Sequence, residues 1–296
     1  MDRHQAMETF VRVVEAGSFS AAARVLRIGQ PAVSKAVAGL EQRLGVRLLV
    51  RTTRQLQPTD AGQAFYERAL RALAETEEAE AAARGLGRGL EGRLRVCAPV
   101  TFARLHIAPK LGDFLDAYPK LSLDLVMDDR NIDLVGENID VALRLGALAD
   151  SSLSARKLAT CARAVVGGAN YLARRGKPET PADLRNHDAI LYAQAGAEEW
   201  RFRKGASETS VRVAGRLAFS AAEGVREAVK AGLGLALASH WMMAPELASG
   251  AVIAVLEDWR PADTDLWAVF PAGRMPSARA RVFADWCAAV MKPGAS

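Results

Sequence analysis

The stretch from residue 20 to residue 54 constrains the fold more than any other part of this 296-residue chain. Its apolar spacing predicts two short helices joined by a tight turn and followed by a basic loop. One face of the second helix of this pair, which is the third helix of the chain, should be buried. Apolar residues recur on it at helical spacing: Val33, Val37, Leu40 and Leu44. The opposite face carries small or hydrogen-bonding residues: Pro31, Ser34, Lys35 and Ala38. This order of parts is typical of a winged helix-turn-helix, which presents such a face to a DNA major groove.

Capping residues predict where these helices begin and end. Gly17 should end a first helix over 4–16, and Ser18 is a candidate N-cap for the helix that follows. Gly29 can cap the third helix. Pro31 is tolerated in its first turn because proline lacks only an N–H group, and the N–H groups of a first turn have no partner within the helix. These residues predict three short helices in the first 45 positions.

A wing is predicted directly after the third helix. Short strands are expected over 46–50 and 55–57, joined by a polar tip. The tip consists of four residues: Arg51, Thr52, Thr53 and Arg54. Hydroxyl and guanidinium groups of this kind suit contacts with DNA phosphates.

The excess basic charge of the chain lies in this same region. Residues 1–58 carry nine Lys and Arg against four Asp and Glu, a net charge of +5. The remaining residues carry thirty of each, so the net charge of +5 for the whole chain comes entirely from the N-terminal part. A positive surface favours a polyanionic partner, although a solvated basic surface of this size is also common.

A long helix is predicted from about 60 to 84, and a glycine-rich hinge follows over 85–92. The helix would be roughly 38 Å long at 1.5 Å per residue. Six residues repeat along it with a period near 3.5: Phe65, Ala69, Ala72, Thr76, Ala79 and Ala83. We expect a helix–helix seam between two copies of the chain; the alternative is a lone solvated linker.

Residues after the hinge alternate between strand and helix patterns, which predicts an α/β domain of about 200 residues. Strands are expected over 94–98, 121–127, 139–144, 158–166, 190–192, 200–202, 211–213, 217–219, 235–239 and 266–270. Helices are expected over 102–118, near Tyr171 and Pro181, over 222–231 and over 278–292.

The composition favours a cytoplasmic protein without a metal site. The three cysteines, Cys97, Cys161 and Cys287, are far apart and lack metal-ligand spacing, which suits inert thiols in a reducing compartment. No apolar run approaches the length of a membrane span, and the N-terminus has no apolar export signal.

The chain resembles the LysR-type transcriptional regulators through motifs within residues 4–62 and through the order of its later elements. The matching positions are Phe10, Val13, Gly17-Ser18-Phe19-Ser20, Ala22-Ala23, Leu26, Gln30-Pro31-Ala32-Val33-Ser34, Val37, Leu40-Glu41, Leu44-Gly45, Leu48-Leu49, Arg51, Thr59 and Ala61-Gly62. Later matches are 92–96, 140–146 and 231–234. The chain departs from the family at Gly29, where most members have serine.

The resemblance implies a three-part chain. Residues 1–58 would form a winged helix-turn-helix, 59–88 a dimerisation helix and hinge, and 89–296 an α/β effector-binding domain of periplasmic-binding-protein type. Its first subdomain would comprise about 89–160 and 266–296, and its second about 161–265. The family further implies a homodimer or homotetramer that acts on double-stranded DNA, with RNA polymerase as a further partner.

The resemblance also assigns residues to two binding sites. The DNA-binding set is Ser18, Gln30, Pro31, Ser34, Lys35, Arg51, Thr52, Thr53 and Arg54. A small organic effector, with a carboxylate as one candidate, would bind between the subdomains at two helix starts that offer free N–H groups. The effector set is Pro99, Thr101, Phe102, Arg144, Phe219 and Ser220; alternatively, Thr101 and Ser220 are simple caps and Phe219 is core.

Two other classes of protein remain as alternatives. An enzyme on the same fold would need a catalytic set, and we find no nucleophile, base or carboxylate pair at a useful spacing. A solute-binding protein would need an export signal. Neither class explains the first 60 residues, so we expect a bacterial regulator with no catalytic residues and no resident cofactor.

Overall fold

The computed structural model describes residues 2–51, 56–83, 90–148, 154–193, 197–272 and 275–292. The chain divides into two compact units, Met1–Gly89 and Leu90–Ser296. We call them the N-terminal unit and the regulatory unit. Within the described ranges, we find no helix with the length and apolarity needed to cross a membrane.

The N-terminal unit contains four helices and a small hairpin. Its elements are α1 (Arg3–Ala16), α2 (Phe19–Leu26), α3 (Gln30–Leu44), β1 (Leu49–Arg51), β2 (Leu56–Pro58) and α4 (Asp60–Ala83). Ser18 caps α2 by accepting the Ala21 N–H at 3.1 Å. Gly45 ends α3 in the left-handed conformation at φ 70°, where a residue without Cβ is unstrained. Strands β1 and β2 pair antiparallel and form the predicted wing.

The core of this unit includes the start of the long helix. Phe65 of α4 packs edge-on against Phe10 of α1, with ring centroids 5.4 Å apart, and Ala69 and Leu73 of α4 are buried in the same cluster. The predicted dimer seam is therefore wrong at Phe65 and Ala69, because both residues already contact their own chain. Ala72 is half-buried and Thr76 is exposed, and the side chains of Ala79 and Ala83 lie outside the described part.

The buried stripe of α3 is confirmed only in part. Val33, Val37 and Leu40 are at most 3% exposed, whereas Leu44 is 39% exposed. Leu44 lies in the last turn of α3, directly before the C-cap Gly45. Ala36 takes the additional buried position on this face.

The regulatory unit contains thirteen described strands. They are β3 (Gly92–Ala98), β4 (Leu121–Met127), β5 (Val141–Leu145), β6 (Ser154–Cys161), β7 (Arg163–Gly168), β8 (Ile190–Tyr192), β9 (Glu199–Lys204), β10 (Ser207–Arg212), β11 (Leu217–Phe219), β12 (Leu235–Ser239), β13 (Val252–Val255), β14 (Arg260–Pro261) and β15 (Thr264–Phe270). Its described α-helices are α5 (Val100–Phe102), α6 (Leu111–Ala117), α7 (Ala169–Arg175), α8 (Ala222–Lys230), α9 (His240–Ser249) and α10 (Ala278–Val290).

These strands build two lobes. Lobe I holds a five-stranded sheet in the order β4-β3-β5-β15-β6, whose core is covered by α6 and α10. Lobe II, within residues 163–261, holds the three smaller sheets: β12-β7-β13, β10-β9-β14 and β11-β8. The chain crosses between the lobes at Ala162 and again over 262–263, and the Arg163 Nε–H donates to the Ala262 carbonyl at 2.6 Å, joining the two crossings.

Several predicted elements differ from the structure. The helix predicted over 102–118 is broken into α5, a π-helical turn (Ala103–Ile107), a 3-10 turn (Ala108–Lys110) and α6. The strand predicted over 158–166 is two strands, because Ala162 is the crossing between lobes. Helix α9 and strands β13 and β14 were not predicted, because α9 contains an internal proline and the two strands are only four and two residues long.

Candidate DNA interface and interlobe cleft

Helix α3 presents the predicted DNA-binding side chains to solvent. Gln30, Pro31 and Lys35 are exposed and Ser34 is half-buried. Among the described residues, Lys35 forms no salt bridge, so its ammonium group is available to an anionic partner. Ser18 is half-buried, and its hydroxyl caps α2. Arg51 ends β1, but its side chain, together with Thr52, Thr53 and Arg54, lies outside the described residues.

The wing is attached to α3 by a carboxylate that the sequence analysis did not single out. Glu41 Oε1 accepts the N–H groups of Leu48 and Leu49 at 2.7 and 3.1 Å. Both donors lie where the chain leaves α3 and enters β1. The signal was present in the sequence, because Glu41 is among the residues that carry the family resemblance.

The far end of the wing is attached to α4 through Thr59 and Gly62. The Thr59 hydroxyl donates to the Arg47 carbonyl at 2.8 Å and accepts the Gly62 N–H at 3.0 Å. A Cβ added at Gly62 would lie 1.9 Å from the Leu48 carbonyl oxygen, so only glycine fits against this backbone. The backbone of Arg47, Leu48 and Leu49 thus contacts α3 on one side and the start of α4 on the other.

In the regulatory unit, one carboxylate lies at two helix starts. Asp129, in the loop after β4, accepts the Val100 N–H and the Ala222 N–H, each at 2.9 Å. Val100 begins α5 of lobe I and Ala222 begins α8 of lobe II. These are the two helix starts that the sequence analysis proposed for an anion, and the anion in this structure is the protein's own side chain.

A second carboxylate lies beside the first. Glu223, in the first turn of α8, accepts the Thr101 hydroxyl at 2.9 Å and Arg104 Nη2 at 2.8 Å. Burial alone would raise the pKa of Glu223, but the hydrogen bonds from Arg104 and Thr101 outweigh burial and hold the pKa below its ordinary value. Glu223 therefore stays charged near neutral pH and bridges the two lobes.

The predicted effector residues lie at or near this junction, and three of the six have the following protein partners. Thr101 is buried and hydrogen-bonded to Glu223, and Phe102 packs edge-on against Trp241 of α9. Arg144 donates to Asn131 Oδ1 and to the Ile132 carbonyl. Burial lowers the pKa of the Arg144 guanidinium below its ordinary range, although Arg144 remains ionised at neutral pH.

The other three effector residues are less enclosed. Pro99 and Phe219 are half-buried, and Ser220 is exposed. The N-cap of α8 is Ala221, so Ser220 does not cap this helix, and Asp129 supplies the missing acceptor. No described observation assigns a ligand to these residues, and their effector role stays a prediction.

Two histidines are expected to make the stability of the regulatory unit depend on pH. Burial lowers the pKa of His106, whose Nε2 lies 2.7 Å from the Trp241 carbonyl oxygen, and burial also lowers that of His187. The unfolded chain therefore binds more protons near the ordinary pKa of 6.5 than the folded chain does. We expect the melting temperature to fall as the pH is lowered from about 7.5 to about 5.5.

The measurement is a series of thermal denaturation curves over that range, with His106→Gln and His187→Gln combined as the comparison. Glutamine cannot be protonated here, so the double variant should show a flatter profile. Equal slopes for the double variant and the unsubstituted protein would contradict the assignment to these histidines.

Comparison with known proteins decides the family. Residues 4–63 match the bacterial regulatory helix-turn-helix domain of the lysR family, and residues 87–292 match the LysR substrate binding domain. The chain belongs to the LysR family. It is a DNA-binding transcriptional regulator whose regulatory unit has the effector-binding fold. The resemblance predicted from residues 4–62 is confirmed.

Individual relatives support the same assignment over nearly the whole chain. An HTH-type transcriptional regulator of Xanthomonas campestris is 38% identical over 282 residues, 94% of this chain and 82% of the relative. An HTH-type transcriptional repressor of Pseudomonas aeruginosa is 36% identical and covers 97% of this chain and 91% of the relative.

Solved structures support the fold of this LysR-type regulator. CrgA of Neisseria meningitidis, itself a LysR-type regulator, is 30% identical, with a TM-score of 0.62 and coverage of 99% and 100% of the two chains. AphB of Vibrio cholerae, a virulence activator, is 27% identical, with a TM-score of 0.57 and coverage of 97% and 98%. The predicted fold class, a winged helix-turn-helix joined to a two-lobed domain of periplasmic-binding-protein type, is confirmed.

Proposed function

We propose that this regulator binds a pseudo-palindromic operator as a dimer or a dimer of dimers, with α3 of each N-terminal unit in a major groove. The observation that carries the proposal is the exposed face of α3. Gln30 and Lys35 lie on it, and Lys35 forms no salt bridge within the described residues. Gln30 can pair with adenine, and Lys35 can donate to guanine or phosphate.

Self-association through the long helix is part of the proposal. Leu70 of α4 is 37% exposed, and Thr76 is exposed one and a half turns later. A second copy would cover the exposed Leu70 side chain, which lies between the core residues Ala69 and Leu73 but outside their buried face. The proposal includes RNA polymerase as a further partner at the promoter and the cytoplasm as the place of action. It includes no enzymatic step.

A small organic effector is proposed to bind between lobes I and II and to change the relative placement of the paired DNA-binding units. Support comes from Thr101, Arg104 and Glu223, which place polar groups from both lobes at one junction. A carboxylate remains one candidate class. Because Asp129 already accepts both helix-start N–H groups, such an effector must use other donors or displace Asp129.

The experiment that tests the proposed function is a gel shift with the purified protein and the DNA flanking its own gene. Random DNA of the same length serves as the competitor, and the titration is repeated at several salt concentrations. Sequence-selective binding whose affinity falls steeply with salt supports the proposal. Equal affinity for both DNAs at every salt concentration contradicts operator recognition at this site.

Replacing Lys35 by alanine should weaken operator binding by about 1–3 kcal/mol if the ammonium group contacts a base. The loss should be smaller on random DNA, since only the base contact is specific. Lys177→Ala is the matched control, because Lys177 is an exposed lysine of the regulatory unit. Unchanged affinity of Lys35→Ala for operator and random DNA alike would remove Lys35 from the interface.

A further inference from the structure

The contact made by Asp129 is unusual because its two donors belong to different lobes. The Val100 amide is in lobe I and the Ala222 amide is in lobe II, and each lies 2.9 Å from a different oxygen of the same carboxylate. Asp129 is 29 residues from the first donor and 93 from the second. One side chain therefore joins the start of α5 to the start of α8.

The loop that carries Asp129 is tied to the sheet of lobe I on its C-terminal side. Asp128, immediately before it, pairs with Arg130 at 2.7 Å. Arg144 of β5 binds Asn131 and the Ile132 carbonyl just after it. The Arg144 contacts therefore hold the loop against β5 at the residues that follow Asp129, whereas the Asp128–Arg130 pair lies within the loop itself.

Other polar contacts cross between the lobes at the same place. Glu223 of lobe II binds Thr101 and Arg104 of lobe I, and His106 of lobe I lies 2.7 Å from the Trp241 carbonyl of lobe II. Arg104 and His106 both lie on the π-helical turn that interrupts the predicted helix. Such turns often occur at functional sites, because the extra residue redirects the side chains that follow.

We propose that Asp129 is an interlobe latch, defined as its carboxylate together with the Val100 and Ala222 amides. The latch holds lobes I and II in the arrangement described here, and its release lets them turn about the crossings at Ala162 and 262–263. Glu223, Arg104 and Thr101 strengthen the latch without replacing it. The regulatory consequence rests on the proposed function, since it assumes that the lobe arrangement controls DNA binding.

Replacement of Asp129 by asparagine tests the latch. Asparagine keeps one acceptor but places an NH₂ group against the second amide, so one of the two bonds is lost. Spin labels at Asp116→Cys in α6 and Glu208→Cys in β10, both exposed positions, report the distance between the lobes. The native cysteines are buried and should not be labelled. Dilution with unlabelled protein removes distances between copies.

We expect a second, longer distance population in Asp129→Asn and amide hydrogen exchange at Val100 and Ala222 that is about tenfold faster or more. Asp128→Asn is the matched control, because Asp128 binds only within its own loop among the described contacts. The distance distribution of Asp128→Asn should equal that of the spin-labelled protein in which both Asp128 and Asp129 are native. These measurements need no operator, so they test the latch separately from DNA binding.

Two outcomes would overturn the latch. Faster exchange at both amides without any change in distance would show that Asp129 only caps two helices. An equal change in distance for Asp128→Asn would show that the loop, and not the Asp129 carboxylate, joins the lobes. If Asp129→Asn fails to fold, Asp129→Glu keeps the charge but moves the carboxylate by one methylene from the two amides, and it should show the same longer population. An unchanged distance in Asp129→Glu would also contradict the proposal.

Discussion

Replacing Glu246 by alanine is expected to lower the free energy of unfolding of the regulatory unit by about 3–5 kcal/mol. Glu246 of α9 forms an ion pair with Arg226 of α8, and the two side chains are only 9% and 6% exposed. Removal of the carboxylate leaves a guanidinium group buried against apolar residues, where an uncompensated charge is strongly unfavourable. Glu223 and Glu227, each 3.1 Å from Arg226 Nη1, compensate only in part.

The measurement is chemical denaturation of the full-length protein, monitored by tryptophan fluorescence. Arg226→Met combined with Glu246→Leu should recover most of the lost stability, because well-packed apolar residues can replace a buried pair at little cost. Glu199→Ala, which removes an exposed carboxylate paired with Arg201, should change stability little. A Glu246→Ala loss no larger than that of the Glu199 control would show that the buried pair is not needed.

Replacing Gly62 by alanine should destabilise the N-terminal unit by about 3 kcal/mol or more. The new Cβ would lie 1.9 Å from the Leu48 carbonyl oxygen, and this atom belongs to backbone that cannot rotate away. The start of α4 must then move from the wing. We expect operator affinity to fall as well, because Leu48 and Leu49 also connect the wing to Glu41 of α3.

Gly39→Ala is the matched control for this substitution. Gly39 lies inside α3, and a Cβ there would meet nothing within 4 Å. Alanine should leave stability unchanged or raise it by about 0.5–1 kcal/mol, as expected for a helix interior. Thermal and chemical denaturation of both variants provide the comparison. Similar stability of Gly62→Ala and Gly39→Ala would contradict the steric argument.

Local signals explain why the N-terminal helices could be predicted closely from the sequence. Ser18 and Gly45 act on their own helix ends through contacts a few residues away, so their residue types carry the information. Phe65 and Ala69 were misassigned for the opposite reason. Their spacing shows that one face of α4 is buried, but spacing alone cannot distinguish a second copy from the core of the same chain.

The interlobe junction could be predicted only in outline. The sequence showed two helix starts with free N–H groups, but the partner of both is Asp129, 93 residues from Ala222. No local pattern connects residues at such separation. Glu223 and Arg104 were missed for the same reason, since 119 residues separate them. No local sequence pattern identifies the effector, so the binding role of Pro99, Thr101, Phe102, Arg144, Phe219 and Ser220 stays a prediction.

The carboxylate of Glu41 has a consequence for how operator preference can change. It anchors the backbone between α3 and β1, so the helix proposed to face the bases and the wing proposed to face the phosphates are held together by two hydrogen bonds. Side chains such as Gln30 and Lys35 lie outside this anchor and can be exchanged without altering the angle between helix and wing. If DNA binds as proposed, new base preferences arise by substitution on α3 alone, while the contacts with the DNA backbone stay unchanged.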